Sequence, residues 1–174
     1  MVTLYKRIEL LANIAIIAIA LLIGTILVKN YFFGHSDQLS PQIAVGTKIS
    51  LPETDWSKSK QTMLVVLQKG CHFCAESAQF YQRMAKETAG RNDVRLVAVL
   101  PQQPSESRQY LNDLSIPIEE VKQASLSSVG VRGTPTLILV DDKGAVIDSW
   151  IGKLPASKES EVASRLQRST LASN

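Results

Sequence analysis

The chain has 174 residues, 45% of them hydrophobic and 20% charged, with a formal net charge of +3. That balance excludes a disordered chain, and the length fits one domain with an appendage. Lys6, Arg7, Glu9 and Lys29 carry +2 of the charge, so almost no basic excess remains beyond Asn30 and no nucleic acid partner is expected.

The first predicted element is residues 10–28, LLANIAIIAIALLIGTILV, which contain no charge. At helical rise they extend about 28 Å, close to the hydrocarbon thickness of a bilayer. Tyr31, Phe32 and Phe33 follow, where an interfacial aromatic belt sits. A cleaved signal peptide and a buried soluble helix are the competing readings. The first lacks a small-x-small site in VKNYFFGHSD, and the second lacks a polar stripe. Residues 1–30 are therefore expected to be a single-pass membrane anchor that contacts lipid through residues 10–28. Lys6 and Arg7 precede the span, and only Lys29 follows it closely. This favours a cytoplasmic N-terminus with the remainder periplasmic or otherwise extracytoplasmic. Residues 31–46 read as a polar linker, 47–168 as the folded domain and 169–174 as a tail.

Within the domain, MLVVL at 63–67 is a continuous apolar run, the pattern of a strand buried on both faces. Residues 71–87 have helical spacing. Phe73, Ser77, Phe80 and Met84 share one stripe, Cys74, Ala78, Tyr81 and Ala85 lie beside it, and Arg83 and Glu87 form an i,i+4 pair. Residues 89–92, AGRN, end that helix. A second buried strand is predicted at 94–100, a short helix at 105–114, a short strand at 118–121 and a strong strand at 136–140. Asp141-Asp142-Lys143-Gly144 then turns a hairpin into AVIDSWI. Ser157 caps a final helix through Leu166, with Val162, Ala163 and Leu166 inward. The order β-α-β-α-β, hairpin, α predicts an α/β fold with parallel strands, an antiparallel edge and helices covering both faces of the sheet.

The chain's two cysteines, Cys71 and Cys74, stand in KGCHFCAES at the junction of the first strand and the first helix of the domain. Unpaired N–H groups at a helix start favour a thiolate, and Lys69 and His72 bring positive charge. Cys71 is then the exposed nucleophile, and Cys74, one turn on, resolves the mixed disulfide. Other readings compete. A structural disulfide across so short a loop constrains the unfolded chain little. Haem attachment requires a histidine where Ala75 stands. Structural zinc needs four ligands and finds only Cys71, Cys74, His72 and the distant His35, so copper is the more plausible metal.

With strand, CxxC and helix in place, residues 64–154 resemble the thioredoxin superfamily. A second signature is VRGTPTLILVDDKGAVIDSWIGKL at 131–154, whose Gly133-Thr134-Pro135-Thr136 resembles the family's cis-proline loop. The resemblance implies a central mixed β-sheet flanked by helices and places Gly133, Thr134 and Pro135 beside the CxxC, where the backbone pairs with substrate chains. It extends to the membrane-anchored TlpA/ResA-like thiol–disulfide oxidoreductases, which share one N-terminal span and an insertion matching residues 100–130. It implies exchange with exported cysteine-containing proteins, reduction of apocytochromes among them, with a membrane protein as electron donor or acceptor. No cofactor beyond the Cys71–Cys74 disulfide and no metal is implied.

Departures from the family pattern are specific. The tryptophan-rich stretch before the CxxC is replaced by Leu67-Gln68-Lys69-Gly70, and Val65 occupies the place of the buried acid six residues before the first cysteine. The dipeptide His72-Phe73 and Lys69 are expected to tune the potential, while Glu76 reads as a solvated helix charge. An oxidase or isomerase uses the same parts. A copper chaperone on this fold lacks its CxxxC spacing and distant histidine here. A thiol peroxidase lacks its TxxC, since Gln68 stands at the threonine position.

Overall fold

The structure, a computed structural model, describes residues 14–25 and 43–171. The chain divides into two compact units, Met1–Ser40 and Pro41–Asn174. In the first, residues 14–25 form an apolar helix, α1, with Ile16, Ile17, Leu21 and Leu22 exposed. Among the described residues no helix is long and apolar enough to cross a membrane. The ends of the predicted span, 10–13 and 26–28, lie outside the described residues, as does most of the predicted linker.

The second unit is a five-stranded mixed sheet. Its strands are β1 (Gln61–Val66), β2 (Val94–Leu100), β3 (Glu120–Gln123), β4 (Thr136–Asp141) and β5 (Val146–Ile151), in the order β3-β2-β1-β4-β5. β1, β2 and β3 run parallel, and β4 is antiparallel to both β1 and β5. The helices are α2 (His72–Glu76), α3 (Ala78–Thr88), α4 (Pro104–Asp113) and α5 (Ala156–Leu171).

Alternation along the strands sorts the core. Met63, Val65, Leu137, Leu139 and Ala98 face one way, where they meet Phe80 and Met84 of α3, Leu111 of α4 and Val162 and Leu166 of α5. Leu64, Val66, Val97, Val99, Ile138 and Val140 face the other way. Each fully buried Val, Leu, Ile or Met side chain among these stabilises the fold by about 2 kcal/mol. Helices flank the sheet unevenly: the buried apolar residues of α3, α4 and α5 all belong to the first face, while the second carries short 3-10 turns at Trp56–Lys58 and Ser127–Val129. The β1–β2 and β2–β3 crossovers step across the sheet in the same direction, and their usual right-handed sense puts both sets of connecting helices on one side. The second face is covered instead by Ile49, Leu51, Trp56 and the segment holding Ala124, Val129 and Val131. Residues 46–49 run beside the start of β5, with the Gly46 and Ile49 N–H groups donating to the carbonyls of Val146 and Gly144.

Three further local readings change. The helix predicted over 71–87 breaks at Ser77, where the Phe80 and Tyr81 N–H groups turn to the Ser77 carbonyl and begin α3. Arg83 pairs with Glu159 of α5 at 2.6 Å rather than with Glu87, because α5 packs across α3. β3 starts at Glu120, later than predicted, because the Arg108 guanidinium takes the carbonyls of Ile118 and Glu119 away from strand pairing. The β4–β5 hairpin forms as read: the Asp141 carboxylate accepts from the Lys143 and Ala145 N–H groups at 2.9 Å each. Gly144 has φ +74°, and a Cβ there would sit 2.6 Å from the Trp56 indole nitrogen, so glycine is required twice over.

Candidate active site

Topology gathers the predicted residues at one end of the sheet. β1 and β4 are antiparallel with Val66 opposite Thr136, so the loop leaving β1 lies beside the loop entering β4. β2 is parallel to β1, and β5 ends where β4 begins, with Thr136 opposite Ile151. Residues 67–71, 101–103, 131–135 and 152–154 thus share this end.

Cys71 is the N-cap of α2. Its backbone is extended (φ −76°, ψ 114°), and its Sγ accepts the Cys74 N–H at 3.2 Å. The sulfur therefore takes the place of a capping oxygen, and the donor that holds it also favours a thiolate there. Because the helix breaks at Ser77, the aligned peptides behind Cys71 are those of a five-residue helix, which shortens the dipole expected from 71–87. Cys71 and Cys74 are joined as a disulfide with Cα atoms 5.3 Å apart.

The two sulfurs differ in exposure. Cys71 is half-buried, whereas Cys74 is 0% exposed within the core face that also holds Val65. Among the described residues no acidic or basic residue is buried, so Cys74 has no interior carboxylate or amine to take its proton.

Opposite the disulfide, the Thr134–Pro135 peptide is cis. The Thr134 carbonyl oxygen lies 3.4 Å from Cys71 Sγ. Pro135 is buried and its carbonyl accepts from Gly152 at 2.7 Å, which ties the loop to the end of β5. The Gly133 carbonyl accepts from the Thr136 hydroxyl at 2.8 Å. Thr134, between Gly133 and Pro135, thus meets the CxxC through its carbonyl at Cys71.

The remaining predicted residues are placed differently from one another. Phe73 is 54% exposed beside the disulfide, away from the apolar stripe it was assigned to. Its place one residue before buried Cys74 turns it outward, while Ser77, Phe80 and Met84 are buried. Lys69 points to Glu106 of α4, with Nζ to Oε1 2.6 Å, and this carboxylate holds the lysine above its ordinary pKa. His72 is exposed, and its Nε2 lies 3.2 Å from Oε1 of Glu76. Oε2 of Glu76 accepts from Lys153 Nζ at 3.0 Å. That lysine foremost, with smaller help from His72, holds the Glu76 carboxyl below its ordinary range.

Sequence reasoning missed Lys153, Glu106 and Gln102, whose Oε1 accepts from the Lys69 N–H at 3.3 Å. Once the hairpin is read as antiparallel to β1, the end of WIGK must lie beside the CxxC, and that signal was available for Lys153. Among the described residues no group of three or more His, Cys, Asp or Glu is arranged to hold a metal.

Comparison with known proteins agrees with this geometry. A family model described as a thioredoxin-like domain matches residues 56–166. The fold is shared with a protein of Chlorobium tepidum described as thiol:disulfide interchange protein DsbE, at 24% identity and TM-score 0.55, over 75% of this chain and 97% of that one. It is shared also with the thioredoxin domain of a thiol-disulfide oxidoreductase of Bacteroides vulgatus, at 12% identity and TM-score 0.57, over 71% and 98% of the two chains. A thiol-disulfide isomerase of Corynebacterium glutamicum matches at 14% identity and TM-score 0.51, over 75% and 97%. No curated protein sequence matches the chain. The chain belongs to the thioredoxin-like family, and its CxxC pair forms a disulfide.

Proposed function

We propose that the chain is a membrane-anchored reductant that exchanges disulfides with exported cysteine-containing proteins. The observation that carries this reading is the division of labour between the sulfurs. Cys71 is half-exposed, capped by an N–H and faced by the Thr134 carbonyl, while Cys74 is buried within one helical turn of it.

In the reducing direction, the Cys71 thiolate attacks one sulfur of a partner disulfide. A Cys71–partner bond forms, the partner's own S–S bond breaks, and its second sulfur leaves and takes a proton from water. Cys74 then loses its proton to solvent and attacks Cys71 Sγ. The Cys71–Cys74 bond forms, and the partner departs with its second thiol. Two electrons reach the partner, and a membrane dithiol donor restores them to the Cys71–Cys74 pair. The Thr134 main chain beside Cys71 receives the extended partner segment by strand-like pairing, which accepts varied sequences. Apocytochromes are the partner class that the family resemblance favours.

Anchoring and export rest on the uncharged stretch 10–28, the exposed apolar side chains of α1 and the lysine and arginine that precede it. Trapping tests the exchange. The full chain with Cys74→Ser is expected to accumulate partners bound through Cys71, and Cys71→Ser to trap none. Equal trapping by both variants would remove Cys71 as the nucleophile.

A further inference from the structure

We propose that Glu76, anchored by Lys153, is a positioning residue that holds the His72 ring back along α2 and so keeps the Cys71–Cys74 couple more reducing than an untethered histidine would leave it. The inference rests on the thiol–disulfide reading above and deepens it, because it bears on the direction of electron flow.

His72 directly follows the capping sulfur. A hydrogen-bond donor brought to the capping sulfur from this position favours the Cys71 thiolate over the disulfide and raises the potential. Glu76 lies one turn further on the same helix face, toward the end of α2 opposite Cys71. Its Oε1 engages His72 Nε2 at 3.2 Å, which directs that ring nitrogen toward the far end of the helix. The carboxylate is itself fixed from another element: Lys153, just beyond β5, holds Oε2 at 3.0 Å. The Phe73 ring meets His72 edge-on at 5.6 Å and flanks it. Lys69, the lysine adjoining the CxxC in sequence, is committed to Glu106. Removing the Glu76 charge therefore frees the Nε2 end of the His72 ring to turn toward the sulfur and deletes a negative charge one turn away, and both changes favour the thiolate. Reduction of the pair takes two electrons and one proton to give the Cys71 thiolate and the Cys74 thiol, so the effect reads directly as a potential.

The test equilibrates the full chain in detergent with glutathione buffers at pH 7, with dithiol counted by alkylation and mass. Glu76→Gln is expected to shift the equilibrium about threefold toward dithiol, the scale of an exposed ion pair. For a two-electron couple, at about 30 mV per tenfold change, that is about 14 mV. In the His72→Ala background the same change is expected to move the equilibrium by less than half as much on a logarithmic scale. Lys153→Met is expected to weaken this coupling between positions 72 and 76. A Glu76→Gln shift of equal size with and without His72, or no shift, overturns the proposal, and coupling that survives Lys153→Met removes Lys153 from it. A chain with no measurable dithiol–disulfide equilibrium refutes the redox reading itself, which is a different outcome.

Discussion

Val65→Asp places a carboxyl in the core face that contains Cys74, at the position where thioredoxins carry a buried acid. Val65 is 0% exposed and sits between β2 and β4, opposite Ala98 and Leu137. Losing its apolar burial costs about 2 kcal/mol. A protonated carboxyl without a partner adds about 1–3 kcal/mol, so the variant loses about 3–5 kcal/mol at low pH. The pH dependence is more telling. Burial raises the folded-state pKa of the new carboxyl above its unfolded value of about 3.9. Between those two values the unfolded chain ionises first, so stability falls by about 1.4 kcal/mol per pH unit as pH rises. Urea unfolding of wild type and variant, followed by tryptophan fluorescence at pH 4.5, 6 and 7.5, is expected to show a gap that widens with pH. Resolution of a mixed disulfide by Cys74 is expected to quicken near neutral pH, because the variant supplies the base that the native core lacks. A pH-independent loss below about 1 kcal/mol would mean that the space around residue 65 is wet, and the account of Cys74 as a thiol without an interior base would fail.

Gly144→Ala forces a left-handed backbone on an L residue and drives its Cβ into the Trp56 indole, so a loss of about 1–3 kcal/mol is expected in thermal unfolding, with part recovered by Trp56→Leu. Leu111→Ala empties a fully buried site under α4 and is expected to cost about 2–5 kcal/mol by urea unfolding. The Glu76 carboxyl is held below its ordinary range by Lys153, so its contribution is present above the unfolded carboxyl value near 4.5 and is lost as pH falls through the depressed folded value. An acid titration of stability is expected to show a small decline there that Lys153→Met reduces. The reduction potential of the full chain is expected near the value of thioredoxin, about −270 mV, and a value near about −120 mV, that of the strong periplasmic oxidants, would reverse the assigned direction.

The parts of the fold visible in the sequence are those with one dominant local cause. The apolar runs at 63–67 and 94–100 can bury both faces only inside a sheet, and Asp141 with Gly144 specifies its own turn. What stayed hidden depends on packing between distant elements. Ser77 carries no proline or glycine, yet the helix breaks there. Arg83 chose Glu159 over its helical neighbour because α5 lies across α3. The gathering of α3, α4 and α5 on one side of the sheet followed from the direction of the crossovers, which no single segment records. At the site, Cys71 and Cys74 were legible from spacing and context, and Thr134-Pro135 from the resemblance. The hairpin pattern could place the end of WIGK near the CxxC, but not the Lys153–Glu76 pair, which exists only once β5 is laid beside β4.

The most direct measurement is competitive alkylation of the reduced full chain by iodoacetamide at pH 7, with each cysteine quantified by mass. Cys71 is expected to react at least about ten times faster than Cys74, as a capped, half-exposed sulfur next to a buried one. Similar rates at the two positions, or faster labelling of Cys74, would contradict it.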